Sequence, residues 1–302
     1  MMELDKIVEL SQALENSRQV SPLHPFYAQA SAYLAAREND RRILKKYRGL
    51  FSLMAPEDAC AFLFGFRPQS SVELLHYAEP ITFILETADF QRLPRGLSAA
   101  HSAAAFLCYG KQLSCPELNY RVAAIHRQEI LNKEHQEYLI RHEGWHNRLK
   151  MQMGWSGTDY AKQLTRKNIG AEGTPLVFNE LERAFKEKAK EEIMCDILGG
   201  ATPERCWENL QGYVNYYEYL FVGGRIVQGN WFDYLAEARP RLEREIPGEI
   251  ASAHDFHRRQ GQMPFIVSYI HTPFDALKTS LPALTSRFQK AGRSPQSLAV
   301  QS

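Results

Sequence analysis

Apolar residues recur with a period near 3.6 across residues 1–66, as at Ile43, Tyr47, Leu50 and Phe51, and this spacing predicts helix. From about residue 71 to 126 the pattern changes. "EPITFILETADF", "SAAAFLCYG" and "NYRVAAIHR" are short runs rich in branched and aromatic residues, parted by Pro, Gly and Ser, and they predict strands joined by turns. Helical spacing returns over about 127–153 and again over about 177–199, where Gly199-Gly200 supplies a stop. Residues 154–176 read as loop. Beyond 203, "ENLQGYVNYYEYLF" and "NWFDYLAEARPRLEREI" predict further helices, "PFIVSYIHT" near 264–272 predicts a strand, and the last dozen residues predict a loose tail. No repeat and no linker interrupts the chain. The expected architecture is α+β in a single domain spanning 1–302. It comprises an N-terminal helical part (1–66), a core with the small sheet and the two helices (67–200), a C-terminal helical part (201–290) and a flexible tail (291–302).

Composition narrows the partners more than the fold. The chain has 302 residues, 44% hydrophobic and 24% charged, with a formal net charge of +1. That balance provides no field to draw in nucleic acid or an anionic membrane. The basic run "RRILKKYR" (41–48) reads as a solvated helix face rather than a nucleic-acid patch. No apolar run approaches membrane-spanning length, and the acidic, amphipathic start "MMELDKIVELSQALENS" lacks the basic and apolar blocks of a secretory signal. The expected location is therefore cytoplasmic in type; export by a non-classical route would leave the same pattern. Cys60, Cys108, Cys115, Cys195 and Cys206 are odd in number and include no Cys-x-x-Cys pair, so they read as reduced, mostly buried thiols rather than disulfides or a cysteine zinc site. Oligomeric state is left open.

The candidate chemistry lies in "RHEGWHNRL", residues 141–149. On a helix, His142 and His146 stand one turn apart on one face and can aim two imidazole nitrogens at one ion. Zinc takes neutral nitrogen ligands of this kind. Glu143, beside the first histidine, is placed to take a proton from water as it attacks a carbonyl. A catalytic zinc needs a third protein ligand. With Leu181 at the centre of the apolar face of "FNELERAFKEKAKEEIMCDILG", Glu192 falls about 20° away, Asp196 about 60° and Glu191 about −80°, nearer the polar side with Glu187 and Lys190. Glu192 is thus a carboxylate inside an apolar stripe, and a metal ion would be its partner. Glu180, Glu182 and Glu191 remain as alternative third ligands. Asp196, one turn further on, is placed to accept a hydrogen bond from the far nitrogen of a metal-binding histidine.

This set, His142-Glu143-x-x-His146 followed by Glu192-x-x-x-Asp196, resembles the zincin metallopeptidases, in the branch whose third ligand is glutamate, the gluzincins. The likeness covers about 60 residues, from 142 to 196. It implies a zincin-like fold with a small mixed sheet ahead of the motif helix. It also implies one zinc per chain held by His142, His146 and Glu192, with Glu143 as general base and Asp196 supporting a histidine. The activity implied is peptide-bond hydrolysis on a protein or peptide substrate. The nearby third histidine of the metzincins is absent from "HNRLKMQMGW".

An oxyanion-stabilising donor is also expected. Tyr213, Tyr216, Tyr217, Tyr219, His254, His257 and His271 are candidates, and no spacing selects among them. Two other functions fit parts of the pattern. Glu143-x-x-His146 with Glu73-x-x-His76 would form the halves of a di-iron carboxylate site on paired helices. A zinc-containing binding module without catalysis is the other. No phosphate loop or dinucleotide fingerprint occurs.

Overall fold

The computed structural model describes residues 14–15, 27–93, 104–108, 113–157, 178–211 and 231–274. The fold is α+β, with one small four-stranded mixed sheet. The chain divides into two compact units, one of residues 2–156 with 198–200, the other of residue 1 with 157–197 and 201–302.

In the first unit, α1 (Tyr27–Phe51) turns Leu44, Tyr47 and Phe51 inward. α2 (Pro56–Phe64) begins with Pro in its first turn, carries Glu57 and Asp58 where the helix dipole favours acids, and stops at Gly65. Both helices pack on strand β2 (Ile81–Leu85), where the ring of Phe83 meets Phe51 at 6.1 Å and Phe64 at 5.3 Å, edge to face. The sheet also contains β1 (Glu73–Leu75), β3 (Ala105–Leu107) and β4 (Val122–His126), in the order β1-β2-β4-β3. β2 and β4 run parallel in the centre, with Phe83 opposite Ala124, while β1 and β3 are antiparallel edges. All five residues of β2 are buried, as expected of a strand covered on both faces.

Three details depart from the sequence pattern. The strand in "EPITFILETADF" ends at Leu85, and Thr87–Phe90 form a one-turn helix, α3. Buried Asp89 in that turn accepts the backbone N–H groups of Gln69 and Ser70 at 2.9 Å each, which hold its carboxyl below the usual range against the opposing effect of burial. β1 went unpredicted because three residues are too few to show a period. It places Glu73 in a strand, so Glu73 and His76 do not share a helix as the di-iron arrangement requires.

The motif helix, α4 (Lys133–Met153), is framed by strong local signals. The Asn132 side chain accepts from His135 N at 2.8 Å, capping the first turn, and Gly154 closes the last turn with a left-handed φ of 64°. α4 packs against β3, β4 and α1.

The second unit is helical among its described residues. It contains α5 (Phe178–Gly199) up to residue 197, a helical run over 203–211, α6 (Trp231–Gln260) and α7 (Gln262–His271). The predicted strand at 264–272 is helix α7 instead. An apolar run of this length is ambiguous in period, and Phe265, Ile266 and Tyr269 are buried at helical spacing, with Phe265 against Phe256 of α6. Likewise α6 continues through Pro240 and Pro247 because Leu242, Ile246, Ile250, Ala253 and Phe256 form one buried face along it. Lys186 of α5 reaches Glu245 of α6 at 2.8 Å, and Glu182 on its own helix at 3.1 Å. No helix among the described residues is long and apolar enough to cross a membrane. The predicted tail, 291–302, lies outside the described residues.

Candidate metal centre

α4 carries the motif on a face that its neighbours fix closely. Gly144, between the two histidines, meets the corner at Glu79-Pro80. A Cβ at Gly144 would lie 2.7 Å from Glu79 O and 3.5 Å from Pro80 Cδ, so only glycine lets the corner sit this near the helix. Arg48 of α1 holds the corner by donating to Ala78 O at 2.8 Å. On the next turn, buried Asn147 donates to Tyr120 O, just ahead of β4. Thus the glycine within "HEGWH" has a packing cause, which its mid-helix position alone does not specify.

His142 and His146 are half-buried, with Nε2 atoms 3.1 Å apart and ring centres 4.9 Å apart. Two nitrogens bound to one tetrahedral ion at 2.0–2.1 Å each would stand about 3.3 Å apart. The pair therefore has the spacing that a shared cation asks for. Glu192 joins them: one ligand atom from each of His142, His146 and Glu192 lies within 4.8 Å of the others. Among the described residues this is the one group of three or more His, Cys, Asp or Glu with such convergence. Two imidazoles and a carboxylate suit zinc and also other first-row divalent ions. Glu192 is buried, and a cation held between it and the imidazoles would offset part of the cost of desolvating its carboxylate.

The alternative third ligands separate from this group. Glu182 is engaged by Lys186 and Arg241. Glu191 is buried yet falls outside the converging set, and the side chain of Glu180 lies outside the described residues. The expected polar side of α5 is not solvated: Lys190 and Glu191 are buried as well. Lys190 Nζ reaches Glu187 at 3.3 Å and Ile270 O at 3.4 Å, and burial lowers its pKa against the pull of Glu187.

Glu143 is 5% exposed, next to His142 on α4. Cys108, at the end of β3, is fully buried; burial first and the Glu143 carboxylate second push its thiol well above the usual range, so it stays protonated. Asp196, one turn beyond Glu192, is also fully buried, and Asn209 Nδ2 donates to both of its oxygens at 3.2 Å. Asn209 carried no signal in the sequence, since thirteen residues and a helix end separate it from Asp196. All five cysteines are free and buried.

Of the oxyanion candidates, Tyr213, Tyr216, Tyr217 and Tyr219 lie outside the described residues. His254 Nε2 sits 3.4 Å from Cys206 Sγ, and the His257 ring packs on Phe265 at 5.3 Å. Burial lowers the pKa of both imidazoles. His271, within the segment expected to be a strand, is exposed at the end of α7. Comparison with family models, with characterised proteins and with solved structures yields no match.

Proposed function

We propose that the chain is a zinc-dependent peptidase of the zincin type, with one zinc per chain. The observation that carries this is the convergence of His142, His146 and Glu192, with Glu143 beside the first histidine. Zinc held by such a set polarises a carbonyl oxygen and makes water acidic enough to attack near neutral pH. Within the chain, the two imidazoles and the Glu192 carboxylate hold the ion. A Glu143 carboxylate oxygen takes the proton from the attacking water and returns it to the leaving amine nitrogen. β3, an edge strand among the described residues and packed against α4, is where an extended peptide substrate would add by backbone hydrogen bonds.

The test is a mixed peptide library offered to the zinc-loaded chain, with cleavage sites read by mass spectrometry. Cleavage should stop with a chelator and return when zinc is restored. No cleavage at full zinc occupancy, or cleavage that ignores the chelator, would refute the proposal.

A further inference from the structure

Side chains of α4 hold the C-terminal turn of α5. Trp145 Nε1 donates to Leu198 O at 3.0 Å, and Arg141 Nε donates to Gly199 O at 2.9 Å. Carbonyls in the last turn of a helix have no partner within it, so these donors fill a need the helix cannot meet itself. The backbones also approach closely here. A Cβ at Gly199 would lie 3.4 Å from His142 N, 3.5 Å from His142 Cα and 3.5 Å from Tyr138 Cε2. These are ordinary contact distances, and they place the end of α5 beside the first motif histidine.

α5 is unbroken from Phe178 to Gly199. Glu192 lies two turns before its end, about 10 Å along the axis at 1.5 Å per residue. A helix is stiff over two turns, so fixing its last turn fixes the height and rotation of Glu192. We propose that Trp145 and Arg141 are positioning residues that set Glu192 against the His142–His146 pair by gripping the end of α5. This rests on the metal reading above and names what makes the third ligand precise. The grip comes from inside and beside the motif, at positions one before and three after His142. Both donors suit the task. The indole N–H is fixed on a rigid ring, and the guanidinium Nε–H is fixed in a plane. Losing either leaves a last-turn carbonyl open and lets α5 turn, and each residue of register is about 100° of rotation.

The test is zinc affinity, measured on the full chain by competition with a chromophoric chelator, together with the visible spectrum of the cobalt-loaded form. Trp145→Phe keeps an aromatic ring and removes the donor; Arg141→Ala removes the other donor from a half-exposed side chain. Each is measured in the natural sequence and in Glu192→Ala. Both variants should weaken zinc binding by roughly ten- to a hundredfold, the range for groups that orient metal ligands, and should alter the cobalt spectrum. In the Glu192→Ala background they should weaken it no further, because the ligand they place is gone. Unchanged affinity would overturn the proposal, as would equal weakening in both backgrounds, which would mean action on the histidines or on the fold at large. If Trp145→Phe fails to fold, Arg141→Ala carries the same comparison. A natural chain that takes up no metal would overturn the metal reading and this inference with it. A natural chain that binds tightly beside variants that bind equally well would overturn this inference alone.

Discussion

Glu143→Gln is expected to keep its metal and lose hydrolysis. The substitution preserves side-chain volume in a buried place and removes the basic oxygen. His142, His146 and Glu192, the converging group, are untouched, so metal content should hold. A positioned general base contributes about 10²- to 10⁴-fold, and the rate on any peptide the natural chain cleaves should fall by that order. Both halves are measured on one preparation, turnover by peptide cleavage and metal by elemental analysis. Full activity in Glu143→Gln would remove Glu143 from the chemistry. Loss of metal with loss of activity would make it a ligand or a structural support instead.

The largest effect on stability is expected at Asp40→Ala. Asp40 of α1 pairs with Arg121, the residue leading into central strand β4, and the two side chains are 2% and 5% exposed. Arg121 also donates to Glu117 O at 2.9 Å and Asn119 O at 3.3 Å, so its guanidinium is oriented from several sides. Removing the acid leaves a buried cation with no opposite charge beside it. Breaking a buried pair in this way costs about 3–5 kcal/mol, because the desolvation penalty of the remaining ion is no longer offset. The exposed pair Lys46–Glu117, at 2.9 Å, is the internal control: Lys46→Ala should change stability little. Urea denaturation of both variants checks the contrast. Equal small shifts would show that the Asp40–Arg121 contact contributes no more than a surface pair.

How much of this was legible in the sequence differs by element. α4 was open to reading from its apolar spacing, although the Asn132 cap sets its start at Lys133, later than the expected 127. The pairing of His142 with His146 needed only helix geometry. Glu192 was placed by its position in an apolar stripe, yet Lys190 and Glu191, assigned to the polar side, are buried too. A helix surrounded by protein loses the contrast that the wheel relies on, so burial alone did not separate Glu192 from Glu191. What separates them is direction, and that depends on the rotation of α5. The grip of Trp145 and Arg141 on the end of α5 joins residues more than fifty positions apart through backbone carbonyls. Carbonyl acceptors leave no trace in side-chain identity, so no residue pattern could announce it. α7 was misread because a short apolar run fits either a strand or a buried helix, and its packing on α6 decides.

The central claim is that His142, His146 and Glu192 form one metal centre. Its most direct test is metal per chain by elemental analysis, on protein prepared without chelator or metal-affinity resin, beside His146→Ala and Glu192→Ala. Close to one zinc per natural chain, with binding lost or sharply weakened in both variants, is the expected result. No tightly bound metal in the natural chain after zinc is offered, or full occupancy in both variants, would contradict it.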